Sequence, residues 1–300
     1  MFTAGPPAPR PPGTGLHLIR AERQTFSGPA EYLRDPVIRA EVGTYMADLT
    51  RPYALEVTPG LFGEPLSPAL GHSYGEMGRA LVRALVPPQE PVDLLVLAFS
   101  VHDLWPSRAT AAYLSHVCPG TPMSFAICDQ GSAAAFSGLR IAGEYATSAG
   151  CRRALLIVVE QAALPYPSAA PLPSRHRGVA MLFGPASGPA ARVVAVRQHP
   201  AVGAESVAGL AAAELAELSA GRRDARLVLG DRLAAAWPAP ADGSRRRPRV
   251  RAAAPGQPST GVWWELVDEL AADEGRPGLV VAADFDPDLR YLCLTAIELG

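Results

Sequence analysis

The sequence contains no lysine and no asparagine, and all 27 of its basic residues are arginine. No mechanism that depends on a lysine or asparagine side chain is therefore open to this chain. The formal net charge is −2, so the protein has no overall field that would attract nucleic acid or an anionic membrane surface. No apolar run approaches the roughly 20 residues that a membrane-spanning helix needs.

Cysteine is also scarce. The four cysteines form no CxxC pair, and no histidine lies at a spacing typical of zinc sites, so we expect no metal site. Free and mostly buried thiols, among them Cys128 in a predicted strand, indicate a reducing compartment. The first residues, MFTAGPPAPRPPGTG, have no signal-peptide layout and are rich in proline. We therefore predict a cytoplasmic protein with a flexible proline-rich tail over residues 1–16.

Short apolar runs alternate with helical patterns along the rest of the chain. DLLVLAFS, residues 93–100, and ALLIVV, residues 154–159, are typical of strands buried on both faces. YGEMGRALVRAL, residues 74–85, has the apolar spacing of a helix. This alternation predicts an α/β fold with a mostly parallel sheet covered on both faces. Because the pattern repeats after residue 190, we predict two α/β halves, residues 17–190 and 191–300.

Two local predictions concern the ends of these halves. The apolar segments at residues 178–183 and 191–196 flank a glycine-containing turn and are interpreted as a hairpin-like pair. Residues 238–258 are rich in proline, alanine, glycine and arginine, and this composition favours a loop.

A strand-to-helix turn lies within FAICDQGSAAAFSGLRIAGEY, residues 125–145. A sharp turn of this kind often presents a nucleophile, which here would be Ser132. The start of a helix supports negative charge, and Gly131 permits a strained turn. A serine after a glycine is also an ordinary way to cap a helix. The sequence leaves both roles open for Ser132.

Five stretches, in order, resemble the β-ketoacyl-acyl-carrier-protein synthase III branch of the thiolase superfamily. They are SYGEMGRALVRAL, DLLVLAFSVHDLWPS, GSAAAFSGLRIA, RRALLIVVEQ and HRGVAMLFGPASGPA. The resemblance is good over residues 70–195 and looser over residues 205–300. It implies a thiolase-like fold, in which two similar βαβαβαββ halves form an αβαβα layered sandwich, normally as a dimer. The second half is shorter here than is usual in the family.

The resemblance also implies an activity. The family moves an acyl group from coenzyme A or a carrier protein onto a cysteine, then condenses it with a malonyl thioester after decarboxylation. Its cysteine position corresponds here to Ser132, or to Gly131 by a one-residue shift. Its histidine position corresponds to Asp231, or to Gly230 by a one-residue shift, and its asparagine position to Gln257. The glycine-rich loop that forms part of the family's oxyanion hole corresponds to ADFDPDL, which contains Asp286. Every catalytic position therefore departs from the family pattern.

These departures are chemical. A serine needs a positioned base, whereas a cysteine is partly ionised at neutral pH. Asp231 could be that base only if burial raised its pKa well above about 4. His102, beside Asp103 in a loop that borders the acyl pocket in the family, is a second candidate helper if the fold turns this pair inward. The residues expected to contact an acyl substrate are Gly131, Trp105 and Asp286.

The sequence suggests binding partners but does not choose between roles. The basic run SRRRPRVR contains Arg245, Arg246 and Arg247, and it is either solvated surface or a docking site for an acidic carrier protein or a coenzyme phosphate. We expect no cofactor other than an acyl-CoA or acyl-carrier-protein thioester as substrate. One hypothesis is a non-catalytic ketosynthase-like subunit, in a homodimer or in a heterodimer with a ketosynthase paralogue. The alternatives are an acyltransferase that uses Ser132 and a binding module for an acyl thioester.

Overall fold

The computed structural model describes residues 15–67, 70–105, 109–168, 172–185, 191–220, 222, 225–237, 249–272 and 276–300. The first half contains, in chain order, β1 (His17–Phe26), α1 (Pro36–Thr50), α2 (Tyr74–Leu85), β2 (Leu94–Ala98), α3 (Thr110–Val117), β3 (Met123–Ile127), α4 (Ala133–Ser148), β4 (Ala154–Glu160) and β5 (His176–Gly184). The second half contains β6 (Ala191–His199), α5 (Ala204–Leu218), β7 (Arg226–Leu229), α6 (Asp231–Ala236), β8 (Arg249–Ala252), α7 (Gly261–Ala272), β9 (Gly278–Asp286) and β10 (Tyr291–Leu299).

The strands of the two halves follow the same order. The sheet runs β3-β2-β4-β5-β1-β6-β10-β9-β7-β8, so each half, numbered from its own first strand, reads 3-2-4-5-1. In each half the second strand pairs parallel with the third and fourth, and the fifth pairs antiparallel with the fourth. The halves join where β1 and β6 pair through two residues on each strand. The predicted duplicated α/β fold is confirmed, but the prediction of a mostly parallel sheet is wrong, since five of the nine strand pairings among the described residues are antiparallel.

The layers follow from the alternation of side chains along the strands. On β2, Val96 faces the central helices α4 and α7, whereas Leu95 and Leu97 face the outer helices α2 and α3. Strands β7, β9 and β10 divide their side chains in the same way between the central layer and the outer helices α5 and α6. The result is the predicted αβαβα sandwich, with α4 and α7 enclosed between the two half-sheets.

Close packing of α4 depends on its small residues. A Cβ atom added at Gly138 would lie 2.9 Å from Leu156 Cδ1 and 3.1 Å from Val96 Cγ1, so a larger residue would push the helix off the sheet. Phe136 of α4 and Trp263 of α7 are both fully buried, and their ring centroids are 4.6 Å apart. This aromatic contact joins the two halves in the central layer.

The first half carries an insertion that the second half lacks. Between β1 and α2 the chain forms α1 and a small apolar cluster around Leu33 and Met46, whereas only four residues separate β6 from α5. Asp35 caps α1, because its Oδ1 accepts from the Val37 N–H at 2.9 Å, and Pro36 occupies the first helical turn. The second half is therefore shorter than the first.

Two local predictions are wrong. The strands β5 and β6 do not form a hairpin, because β1 lies between them in the sheet. Part of the predicted loop at residues 238–258 is a strand, β8, which pairs parallel with β7. Residues 238–248 of that loop lie outside the described residues, as does nearly all of the predicted tail. In the described part of the chain, no helix is long and apolar enough to cross a membrane.

Candidate functional site

The candidate site lies where the N-terminus of α4 meets the carboxyl end of β9. Ser132 occupies the residue before α4, and Asp286 is the last residue of β9. Although 154 positions separate the two residues in sequence, the Ser132 N–H donates to Asp286 Oδ2 at 3.0 Å. Both residues are buried, with 4% of each exposed. The structure thus brings together two of the residues singled out from the sequence.

The side chain of Ser132 does not cap its own helix. It makes no capping hydrogen bond to α4, so the carboxylate of Asp286 provides the cap from the other half of the molecule. A carboxylate at a helix N-terminus is favourable because it accepts from a free N–H and complements the helix dipole. The capping interpretation therefore applies to the position of Ser132 but not to its hydroxyl.

Gly131 provides the space that this contact needs. Its φ is +50°, in the left-handed region, and a Cβ atom added there would lie 1.9 Å from Asp286 Oδ2. Any larger residue at position 131 would displace the carboxylate from the Ser132 N–H. Gly131 and Asp286 therefore form one structural unit, in which a carboxylate lies against the turn expected to hold a nucleophile.

The second oxygen of Asp286 shapes the turn between β9 and β10. Its Oδ1 accepts from the N–H groups of Asp288 and Leu289, at 3.1 and 3.0 Å. Arg232 Nη1 lies 3.9 Å from the same oxygen and 3.6 Å from the carboxylate of Asp288, whose side chain is 84% exposed. Of the two aspartates at this turn, only Asp286 contacts Ser132.

A neighbouring buried carboxyl group, Asp284, was missed by the sequence analysis. Burial raises its pKa well above the ordinary value of 3.8, and the negative charges of Asp231 and Asp286 act in the same direction. The Phe285 N–H, which donates to Asp284 Oδ1 at 2.8 Å, and the charge of Arg232 oppose this shift. The signal available in the sequence was the Asp-x-Asp spacing, which places both side chains on one face of β9.

Asp231 begins α6, directly after β7 and Gly230. Its Oδ1 accepts from the Arg232 N–H at 2.8 Å, and its Oδ2 accepts from the Gly256 N–H at 3.4 Å. Both oxygens therefore bind backbone groups of the second half. The carboxylate joins α6 to the loop before α7.

Gln257 is buried within that loop and faces the first half. Its Nε2 donates to the carbonyl oxygens of Gly256 and Arg175, at 2.6 and 3.3 Å, and lies 3.5 Å from Ser174 Oγ. Its Oε1 is buried and has no hydrogen-bond partner among the described residues. The amide thus links the loop before α7 to the loop before β5.

His102 and Asp103 do not pair with each other. The Asp103 carboxylate accepts from the Tyr74 N–H at 3.0 Å and from Thr110 Oγ1 at 2.6 Å, so it braces the starts of α2 and α3. His102 Nε2 forms a hydrogen bond with the hydroxyl of Tyr166, in the loop after β4. The side chains of His102 and Asp103 therefore have different partners.

The other residues singled out from the sequence are Trp105, Cys128 and three arginines. Trp105 stacks on Tyr32 of the insertion, with ring centroids 4.3 Å apart. Cys128 is exposed just beyond the end of β3, and the expectation that it lies in a buried strand is wrong. Arg245, Arg246 and Arg247 lie outside the described residues.

The start of α7 repeats the arrangement found at the start of α4. Glu160, the last residue of β4, accepts from the N–H groups of Ser259 and Thr260, the second at 3.0 Å, and from the Thr260 hydroxyl. Glu160 is 2% exposed, and burial raises its pKa although these donors favour the charged form. In each half, the last residue of the fourth strand therefore caps the central helix of the other half.

Solved structures share this fold. ChlB3, named as an acyltransferase, has a TM-score of 0.59 at 15% identity, with 95% of this chain and 97% of that chain covered. The 3-oxoacyl-[acyl-carrier-protein] synthase III of Aquifex aeolicus VF5 has a TM-score of 0.57 at 11% identity, with 94% and 99% covered. A single-residue variant of OleA from Xanthomonas campestris has a TM-score of 0.56 at 13% identity, with 96% and 98% covered.

No protein-family model and no curated protein sequence matches the chain significantly. The structural likeness spans nearly the whole chain at low identity, and it shows the fold. The chain has the thiolase-like fold of ketoacyl synthase III-like proteins, and the resemblance predicted from the sequence is confirmed at that level.

Proposed function

We propose that this chain is a ketosynthase III-like component of fatty-acyl or polyketide assembly that performs no decarboxylative condensation itself. In this proposal it acts as the partner subunit of an active ketosynthase. The observation that carries the proposal is the hydrogen bond from the Ser132 N–H to the carboxylate of Asp286. That N–H lies at the turn where the related enzymes hold their nucleophile, and here it already has a negatively charged acceptor.

The energetic consequence supports a non-catalytic role. A single oxyanion-hole donor contributes about 3–4 kcal/mol to transition-state stabilisation. A developing oxyanion at Ser132 would have to displace Asp286 or accept repulsion from it. The carboxylate of Asp231, at the expected histidine position, binds the N–H groups of Arg232 and Gly256. Among the described residues, no hydrogen bond connects a candidate base to the Ser132 hydroxyl.

The partner subunit is proposed to join along β3. This strand is at the edge of the sheet, and among the described residues it pairs with β2 alone, so its other edge can accept a further strand. Its first residue, Met123, is 47% exposed. A strand from a paralogue could continue the sheet here, which is a common mode of strand addition. The ligand in this proposal is an acyl thioester of coenzyme A or of a carrier protein, held by the complex.

The test is reconstitution with a ketosynthase whose Cys-His-Asn set is intact. Product formation by the mixture should exceed that of the ketosynthase alone and should be unchanged by Ser132→Ala. Met123→Lys should weaken the complex, since it places a charge on the joining edge, whereas Val250→Lys on the opposite edge strand β8 is the matched control. Condensation by this chain alone, lost in Ser132→Ala, would falsify the proposal.

A second candidate function has one observation in its favour. The Ser132 hydroxyl makes no capping bond, so it has no structural task at the start of α4. An acyltransferase would use this hydroxyl to accept an acyl group, and a structural neighbour bears that name. Intact-mass measurement after incubation with several acyl-CoA donors distinguishes the two functions. An adduct present on the native chain and missing from Ser132→Ala would favour the acyltransferase.

A further inference from the structure

The exposed side of α1 and the turn after it concentrate apolar side chains. Of the eight large apolar residues exposed in the described part of the chain, five lie between residues 37 and 55. They are Val37, Tyr45, Leu49, Tyr53 and Leu55, with exposed fractions from 37% to 74%. Clustering of this kind marks an interaction surface more often than scattered exposure does.

The α1 face, defined here as Val37, Ala40, Glu41, Thr44 and Tyr45, lines an open groove of about 750 Å³. Small side chains at two positions leave room between the apolar and aromatic ones. The groove is also acidic. Asp48 at its end pairs with Arg51, whereas Glu41 forms no ion pair with any described residue. The surface therefore suits a ligand that is apolar, extended and positively charged.

A second copy of α1 does not meet that description. If two α1 helices packed antiparallel about Thr44, each Glu41 would lie beside the other copy's Asp48, and the like charges would repel. The acidic groove thus disfavours α1-to-α1 pairing and favours an arginine-bearing segment.

The chain itself contains a segment with the required chemistry. Residues 6–12, Pro-Pro-Ala-Pro-Arg-Pro-Pro, combine five prolines with one arginine and no acidic residue. Proline-rich segments bind grooves lined by aromatic side chains, because proline loses little conformational freedom and packs on the rings. Arginine adds a planar cation that pairs with a carboxylate and stacks on tyrosine.

The length of β1 disfavours docking of the segment on the α1 face of its own copy. Ten residues of β1 place His17 roughly 30 Å from Phe26, and the insertion contacts the rest of the fold at the Phe26 end. There the N–H of Ala30 donates to Gly71 O at 3.1 Å, and the N–H of Tyr32 donates to Glu76 Oε1 at 3.0 Å. Arg10 is seven residues before His17 and can extend at most about 25 Å from it.

We propose that residues 6–12 of one copy dock on the α1 face of a second copy, with Arg10 pairing with Glu41 and the prolines packing on Val37 and Tyr45. The contact is between copies and adds to any interface along β3. It is independent of whether Ser132 carries out chemistry.

The absence of lysine supplies a direct experiment, because the N-terminal amine is then the only primary amine in the 300-residue chain. An amine-reactive fluorophore reports docking as a rise in its anisotropy with protein concentration. Val37→Ser should shift the midpoint of the anisotropy rise about ten-fold to higher protein concentration, since it removes apolar burial. Glu41→Arg should move it about five-fold, the most that one exposed ion pair supplies. Val250→Ser, with a valine that is 51% exposed on β8, is the matched control and should leave the midpoint in place.

Mixing two variants separates docking between copies from docking within one. Arg10→Glu and Glu41→Arg should each dock weakly alone, and an equimolar mixture should recover the native midpoint because each tail then meets a complementary groove. A midpoint that the α1 substitutions do not move would overturn the proposal. Anisotropy that is independent of concentration, or a mixture that behaves as the average of its components, would overturn it as well.

Discussion

The two central helices both begin at a carboxylate of the other half, but the two carboxylates have different sets of hydrogen-bond partners. Glu160 accepts three hydrogen bonds at the start of α7, all from Ser259 and Thr260, which are almost fully buried. Asp286 gives one oxygen to Ser132 at the start of α4 and the other to its own turn. The first carboxylate is wholly structural, and the second uses the same device at the turn that the sequence predicts to hold a nucleophile.

The likeness between the two caps concerns Asp286, one of the residues that depart from the family pattern. Asp286 has a structural role, because it reproduces at α4 the cap that Glu160 provides at α7. Each cap crosses between halves, so each also holds the two half-sheets against the central layer. The turn at Gly131 and Ser132 therefore connects the two halves in the same way as the turn before α7.

The largest expected effect comes from removing the caps. Glu160→Ala leaves three buried donors without an acceptor and should lower the free energy of unfolding by about 3 kcal/mol or more. Asp286→Ala should cost about 1 kcal/mol, because water can reach the N–H groups of Asp288 and Leu289. Urea unfolding of both variants measures the difference. Equal losses would show that the two caps are structurally equivalent.

The next effect is a pH dependence that arises beside the α4 cap. Asp284 lies beside the α4 cap, and its raised pKa means that the folded state holds a proton that the unfolded state releases. Its contribution to stability is therefore full below the ordinary value of 3.8 and declines as pH rises from there toward the raised folded pKa. In that range, the free energy of unfolding of Asp284→Asn should rise relative to that of the native chain by about 1 kcal/mol per pH unit.

Urea unfolding of the native chain and Asp284→Asn between pH 4 and pH 8 gives this comparison. Asp231→Asn removes one of the charges that raise the pKa of Asp284, so in that variant the decline in stability should end at a lower pH than in the native chain. A constant difference between native chain and Asp284→Asn across the series would show that Asp284 titrates alike in the folded and unfolded states.

Local features of the fold could be predicted from the sequence. The apolar runs of β2 and β4 and the spacing of α2 identified those elements because each is buried in a regular pattern. Strand β1 was missed because its charged side chains conceal the pattern. Two of them pair with distant acids, Arg20 with Glu90 and Arg23 with Asp268. Its position between β5 and β6 is a property of the whole sheet.

The candidate site was predictable only in part. Gly131 and Ser132 could be located from the strand-to-helix turn, and Asp286 from the family's loop. Their mutual contact, and the one between Glu160 and Thr260 across 100 positions, depend on how the two halves stack. No periodicity in the sequence records such a pairing, so the carboxylate caps emerge only once the layers are assembled.

The smallest expected effect compares the two residues that directly precede the central helices. Thr260 donates its hydroxyl to Glu160 in a fully buried site, so Thr260→Val keeps the shape, removes that bond and should cost about 1–2 kcal/mol. Ser132→Ala should cost about 0.5 kcal/mol or less, below the usual loss for a capping serine, because its hydroxyl makes no capping bond. Thermal and urea unfolding of the two variants should therefore differ in this order. If Ser132→Ala costs as much as Thr260→Val, the Ser132 hydroxyl is structural and is not free to accept an acyl group.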